Sequence, residues 1–147
     1  MIDEIYHLQE ENLRSKKIQF QKIIEDNIEV FADYEMIQVV IRNLVSNAIK
    51  FTPDGGSIIL KVSGNGNMAN ISVIDTGTGI PDEIKRDLFK MDKTITEQGT
   101  SGERGTGIGL LLCKDFVEKN KGQISVESIL GKGSEFRFTL PLKKSSN

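Results

Sequence analysis

Apolar residues Ile2, Ile5, Leu8 and Leu13, with Tyr6 less regularly placed, form a helix-like stripe among Asp3, Glu4, Glu10 and Glu11. This spacing predicts a helix over residues 2–16. Ile18, Phe20 and Ile23-Ile24 then read as a strand, and Ile28, Val30 and Phe31 as a second. Turn-prone Glu25-Asp26-Asn27 lies between them, so the expectation is a hairpin. Asp33 reads as a helix N-cap, followed at three- and four-residue spacing by Met36, Ile37, Val40, Ile41, Leu44, Val45, Ala48 and Ile49. That helix should stop before Pro53, because a residue preceding proline is pushed out of helical geometry. Residues 57–63 and 69–74 alternate as two strands joined by Gly64-Asn65-Gly66-Asn67, a hairpin signal.

Pro81-Asp82 opens a short helix reaching about Leu88, and residues 90–106 carry no period. A stretch of that length inside a compact fold is more often a functional flap than a plain connector. A helix follows from about Gly107 to Asn120, stopped by Lys121-Gly122. Ile124, Val126 and Ser128, then Phe136, Phe138 and Leu140, close the chain as a hairpin around Gly131-Lys132-Gly133, with 143–147 as a frayed tail. Strands come in hairpin pairs rather than strand–helix–strand crossovers. The expected class is α+β: a two-layer sandwich with a mixed, mostly antiparallel sheet of about five to six strands and about three helices on one face. A doubly wound dinucleotide fold is not expected.

Composition narrows the function classes. A chain of 147 residues suits one domain with a real core. A net charge of −2 gives no general electrostatic case for binding nucleic acid or an anionic membrane. No apolar run approaches the length of a spanning helix. The lone cysteine, Cys113, sits in an apolar run and reads as a buried free thiol, which points to a reducing compartment and the cytoplasm. One cysteine and one histidine make a structural zinc site implausible.

Three clusters could carry chemistry. Asn43, Asn47 and Lys50 lie at i, i+4 and i+7 of the second long helix, on one stripe largely apart from its apolar face. Two carboxamides and an ammonium can hold a hydrated Mg²⁺ and a polyphosphate, although such a stripe taken alone is more often a solvated face. Asp75 ends a hydrophobic strand and is followed by Gly77, Gly79 and Ile80. A strand-end aspartate is commonplace, but glycines beside it clear side chains from a wall and favour a close ligand. An adenine amino group would donate to such a carboxylate. Gly105, Gly107 and Gly109 open the last helix, where free backbone N–H groups can receive phosphate. No strand leads into them, so they do not make a dinucleotide fingerprint; Leu110 and Leu111 stand where a Walker lysine and hydroxyl would.

Residues 38–52, from Gln38 to Thr52, resemble the asparagine box of sensor histidine kinases. Asp75 to Ile80 is similar to their first glycine box, and Gly105 to Leu110 to their second. Gly131-Lys132-Gly133-Ser134 with Phe136 to Pro141 resembles their closing segment. Four motifs in order resemble the catalytic ATP-binding domain of a two-component histidine kinase, within the wider GHKL ATPase group and its Bergerat fold. The resemblance implies ATP and Mg²⁺ as ligands, with Asn47 the leading metal ligand and Asn43 a second metal or phosphate contact and catalytic helper. It implies Lys50 on phosphate, Phe51 against the adenine, Asp75 accepting from the adenine amino group, Gly79 giving the base room with Gly77 in the same nucleotide-binding set, and Thr139 reaching the base through water. Gly105, Gly107 and Gly109 would wrap the phosphates, with Leu110 as a pocket wall and Ile80, Thr106 and Ile108 in the same nucleotide-contacting set. Phe89 matches the start of the phenylalanine box, but Phe89-Lys90-Met91-Asp92 lacks the second aromatic.

The same resemblance implies a phosphoryl acceptor: a histidine on a separate helical dimerisation domain, followed by a response regulator downstream. His7 in Tyr6-His7-Leu8-Gln9 lacks the acidic residue and nearby proline or threonine of an acceptor box, so it reads as an exposed, non-functional histidine. The expectation is one monomeric catalytic domain over residues 1–147 without its acceptor. Hydrolysis to water, or nucleotide binding for regulation, is the alternative; the hydrolytic relatives carry a glutamate base where Asn43 stands.

Overall fold

The computed structural model describes residues 1–89 and 108–143. Four helices and five strands occur among them: α1 Ile2–Ser15, β1 Gln19–Ile24, α2 Tyr34–Phe51, β2 Ser57–Asn65, β3 Met68–Asp75, α3 Asp82–Lys85, α4 Ile108–Lys119, β4 Ile124–Ile129 and β5 Gly133–Pro141. The strands form one sheet in the order β1-β2-β3-β5-β4. Only β1 and β2 run parallel; the other three pairings are antiparallel. The mixed, mostly antiparallel sheet expected from the hairpin spacing is therefore the one observed.

Period-two alternation places one row of apolar side chains on the helix-bearing face. Ile58, Leu60 and Val62 of β2, Ala69, Ile71 and Val73 of β3, and Phe136, Phe138 and Leu140 of β5 are all buried. Against them lie Ile37, Val40, Ile41, Leu44 and Val45 of α2, Cys113 and Val117 of α4, and Ile5 and Leu13 of α1. Asp33 caps α2, its carboxylate accepting from the Met36 N–H at 2.9 Å. The helix ends at Phe51, and Thr52, immediately before Pro53, is extended.

One expected element is corrected. Residues 28–31 do not fold back on β1 as a hairpin. The turn after β1 exists, with Asn27 at φ 63°, but β1 spends its pairing on β2, Gln19 opposite Ser57. The chain instead crosses to the far end of β5, where Val30 makes an isolated bridge with Leu142 and the Phe31 N–H donates to the Pro141 carbonyl at 2.9 Å. The β5 residues past Phe138 extend beyond the start of β4 and leave ladder groups that this short segment satisfies. The expected flap over residues 90–106 and most of the expected tail lie outside the described residues.

Two substitutions test this packing. Phe138 is fully buried, so Phe138→Ala should lower the unfolding free energy by about 3–5 kcal/mol in urea titrations. Asp33→Ala, which removes only a cap, should cost about 1 kcal/mol.

Candidate functional site

The apolar row on the inner face of the sheet gives way to polar residues at one end. Asp75 pairs with Ser134, and Ser134 with Ser128, so three adjacent strands carry Asp75, Ser134 and Ser128 side by side. The rows behind them are Val73–Phe136–Val126 and Ile71–Phe138–Ile124. Asp75 is 7% exposed and Ser134 8%. Asp75 Oδ1 accepts the Gly77 N–H at 2.8 Å, and the Ser134 backbone N–H also donates to the carboxylate. Burial raises the Asp75 pKa above 3.8 despite these two donors.

The loop after β3 is tied to α2. The Thr78 N–H donates to the carbonyl of Phe51, the last residue of α2, at 3.1 Å. A Cβ on Gly77 would stand 2.5 Å from that carbonyl oxygen, so the close approach needs glycine. Gly79 has φ 75°, and a side chain there would collide with the Ile129 backbone of the β4–β5 turn. These glycines thus let the loop sit between α2 and that turn, whatever room they also give a ligand.

Asn43 and Asn47 are half-buried on α2, while Lys50 is buried at 9% exposure with Nζ 4.8 Å from the centroid of the half-buried Phe51 ring. The Asn43–Asn47–Lys50 stripe is thus half-buried at its two carboxamides and buried at Lys50, which is more enclosed than its spacing suggested. At the start of α4, a Cβ on Gly109 would lie 3.5 Å from Asn43 Oδ1, so the carboxamide faces the first turn of that helix. One turn on, Cys113 is buried and free, as its apolar setting predicts. Burial pushes its thiol up to about 12 against a hydrogen bond from Asn43. Leu110 and Ile80 are half-buried. Phe89 packs edge-on against Phe136 at 6.5 Å between centroids. Gly105, Thr106, Gly107 and the side chain of Ile108 lie outside the described residues. His7 is exposed and 3.6 Å from Glu10.

Thr139 is a correction. It pairs with Asn70, five residues along β5 from Ser134, which at about 3.4 Å per residue is roughly 17 Å from Asp75. Its parity also turns it to the opposite face, where its hydroxyl accepts from the Gln123 N–H at 3.1 Å. Ser134 stands beside Asp75 instead. The signal was present in the sequence: Ser134 shares the parity of Phe136, Phe138 and Leu140, and Thr139 does not.

Because the folded Asp75 pKa is raised, the folded state holds this proton more tightly than the unfolded chain. The stability it contributes is complete below 3.8 and is lost as pH rises through the folded value. Asp75→Asn keeps an acceptor for Gly77 but does not ionise. Urea midpoints should therefore show wild type losing stability relative to Asp75→Asn as the pH is raised from about 3.8 toward neutrality.

Comparison with known proteins gives this geometry a family. Over 132 residues, the chain is 42% identical to the adaptive-response sensory kinase SasA of Synechococcus sp. (strain JA-3-3Ab), covering 88% of the chain and 34% of that protein. It is 37% identical over 121 residues to the non-motile and phage-resistance protein of Caulobacter vibrioides, covering 80% of the chain and 14% of that protein. The chain thus spans about a third or less of the curated relatives it matches. The solved catalytic domain of histidine kinase ThkA, in a nucleotide-free form, superposes with a TM-score of 0.82 at 33% identity, covering 95% of this chain and 89% of that one. A family model described as "Histidine kinase-, DNA gyrase B-, and HSP90-like ATPase" matches residues 32–144, well over half the sequence, and the chain belongs to that family.

Proposed function

We propose that this chain is the ATP-binding catalytic domain of a sensor histidine kinase, donating the γ-phosphoryl of ATP to a histidine on a separate helical dimerisation domain. The observation that carries the reading is the docking of the post-β3 loop on the end of α2, Thr78 N–H to Phe51 carbonyl. It joins a buried carboxylate suited to a base amino group to a helix bearing Asn43, Asn47 and Lys50. Asp75 accepts from the adenine amino group, with Ser134, not Thr139, beside it. Phe51, Ile80 and Leu110 contribute apolar surface near the base.

The donor set fits a magnesium-bound polyphosphate. In this reading phosphate oxygens share the coordination of the metal with the carboxamides of α2. Asn47 and Asn43 offer neutral carboxamide oxygens, and Lys50 a cation for phosphate. Magnesium, when bound, neutralises phosphate charge. Gly109, the last glycine of the second glycine box, faces Asn43 and so supports the phosphate end of this reading. Phosphoryl transfer is chiefly positioning and charge neutralisation, and these groups supply both.

The acceptor histidine comes from elsewhere in the parent protein, since His7 is exposed on α1 without an acceptor box. A response regulator is the downstream partner in this reading; the solved ThkA, 30% identical over a match covering 97% of this chain, is in complex with the response regulator protein TrrA. No helix among the described residues is long and apolar enough to cross a membrane. The reading makes this a cytoplasmic domain, which its need for ATP and the free, buried Cys113 support.

Incubation with labelled ATP, Mg²⁺ and a cognate helical hairpin should yield acid-labile phosphohistidine on the hairpin. Steady ADP release without an acceptor, in place of labelling, would instead assign hydrolysis to water. Asn47→Ala should cost roughly tenfold or more in Mg²⁺-dependent ATP affinity, the value of one charge-assisted contact, while affinity in chelator stays near wild type.

A further inference from the structure

Lys16 lies outside the four motifs, at the end of α1, and is buried. A lysine is seldom buried unless its ammonium is held. Here Nζ donates to the Ile49 carbonyl at 2.7 Å and to the Lys50 carbonyl at 3.3 Å, both in the last turn of α2. A helix leaves its last four carbonyls without an intrahelical partner. In α2 these belong to Ala48, Ile49, Lys50 and Phe51. Thr52 Oγ1 donates to the Ala48 carbonyl at 2.6 Å, and the Thr78 N–H to that of Phe51 at 3.1 Å. Lys16 serves the two between them. A longer helix would give Ile49 the N–H of residue 53, but Pro53 has none, and the Thr52 N–H reaches that carbonyl only at 3.4 Å.

The backbone that carries this ammonium is anchored to the loop after α2. The Lys16 carbonyl accepts from the Gly55 N–H at 2.9 Å, and the Gln19 N–H donates to the Gly56 carbonyl at 3.0 Å. The cation is therefore built into the end of the helix. That end carries a partial negative charge, about half an elementary charge, which disfavours anions near the last turn. Lys50 stands one residue from it. A polyphosphate held by Lys50 thus meets the unfavourable pole of α2, and a cation fixed on the carbonyls offsets that opposition.

We propose that Lys16 is a positioning residue for the phosphate end of the site, its ammonium neutralising the carbonyl pole of α2 so that Lys50 can hold nucleotide phosphates there. No contact between Lys16 and the nucleotide is required. The inference rests on the phosphate reading of Lys50 made above. Its signature is a contribution that grows with the charge of the ligand and leaves the base almost unaffected.

The test is equilibrium titration of the full chain with adenosine and with ADP. Lys16→Met, which keeps the length of the side chain and loses the charge, should weaken ADP about fivefold, on the scale of a partly buried cation at a helix end. Adenosine affinity should change less than about twofold, since adenosine carries no charge to meet the pole. Lys16→Arg keeps the charge and should bind ADP within about twofold of wild type. Lys16→Gln keeps an N–H donor without the charge and should behave as Lys16→Met does; it also carries the measurement should Lys16→Met fail to fold. Equal losses for adenosine and ADP would make Lys16 purely structural and overturn the proposal. So would wild-type ADP affinity in Lys16→Gln, or no recovery in Lys16→Arg. Lys50→Met separates the two levels. If it leaves ADP affinity unchanged, the phosphates do not lie at this end and the reading of the site falls with the proposal; if it weakens ADP while the Lys16 variants match wild type, only the role of Lys16 falls.

Discussion

Asp75 stands on the helix-facing side of the sheet at 7% exposure, and a carboxylate taken that far out of water needs donors or it must neutralise. Among the described residues its donors are backbone N–H groups, from Gly77 and Ser134. Each imposes a geometry. The Gly77 bond requires the chain to curl back within two residues of the strand end. The Ser134 bond requires β5 to lie alongside β3 up to its last residue, which the register provides. Once curled, the loop exposes further polar groups, and these find the Phe51 carbonyl on α2, the Gly131 N–H of the β4–β5 turn and the Ser128 hydroxyl. The burial of one carboxylate thus organises contacts among a helix, a loop and a hairpin distant in sequence.

The end of α2 carries a second polar load close by. Lys50 is buried, and Lys16 from the end of α1 donates to the Ile49 carbonyl at 2.7 Å and the Lys50 carbonyl at 3.3 Å. Cations at a helix C-terminus interact favourably with the exposed carbonyls and the helix dipole, commonly by about 0.3–1 kcal/mol. That helps to fix the last turn of α2 before it meets Thr78. The helix therefore serves two purposes with separate faces: Val40, Leu44 and Val45 fill the core, while Asn43 turns toward the first turn of α4.

Sequence periodicity located most elements because burial dictates it directly. The α2 stripe, the β2–β3 hairpin and the inner row of β5 follow from apolar spacing and turn residues, and their ends agree closely with the structure. The failure at residues 28–31 was of another kind. Their composition is strand-like, but the partner is chosen by which edge has open ladder groups, and that depends on β5 more than a hundred residues later. Thr139 failed for a different reason: motif position was followed where strand parity pointed the other way. Ser128 was illegible in principle, since its value comes from Ile80, Gly133 and Ser134 meeting around one oxygen.

The surroundings of Asn43 bear on which chemistry this end of the site can support. Activating water needs a group that can take its proton near neutral pH. A carboxamide cannot, and the thiol next to it on α4 is pushed to about 12 by burial. Gly109 on the same helix face contributes only backbone. Among the described residues, the groups touching Asn43 therefore orient and solvate charge without exchanging protons. A histidine acceptor makes no such demand, because a neutral imidazole nitrogen already carries the lone pair that attacks phosphorus. A site that positions without a base is adequate when the nucleophile arrives ready, and inadequate when it is water. The surroundings of this one carboxamide, held between two helices, are therefore compatible with the transfer to an imidazole proposed above.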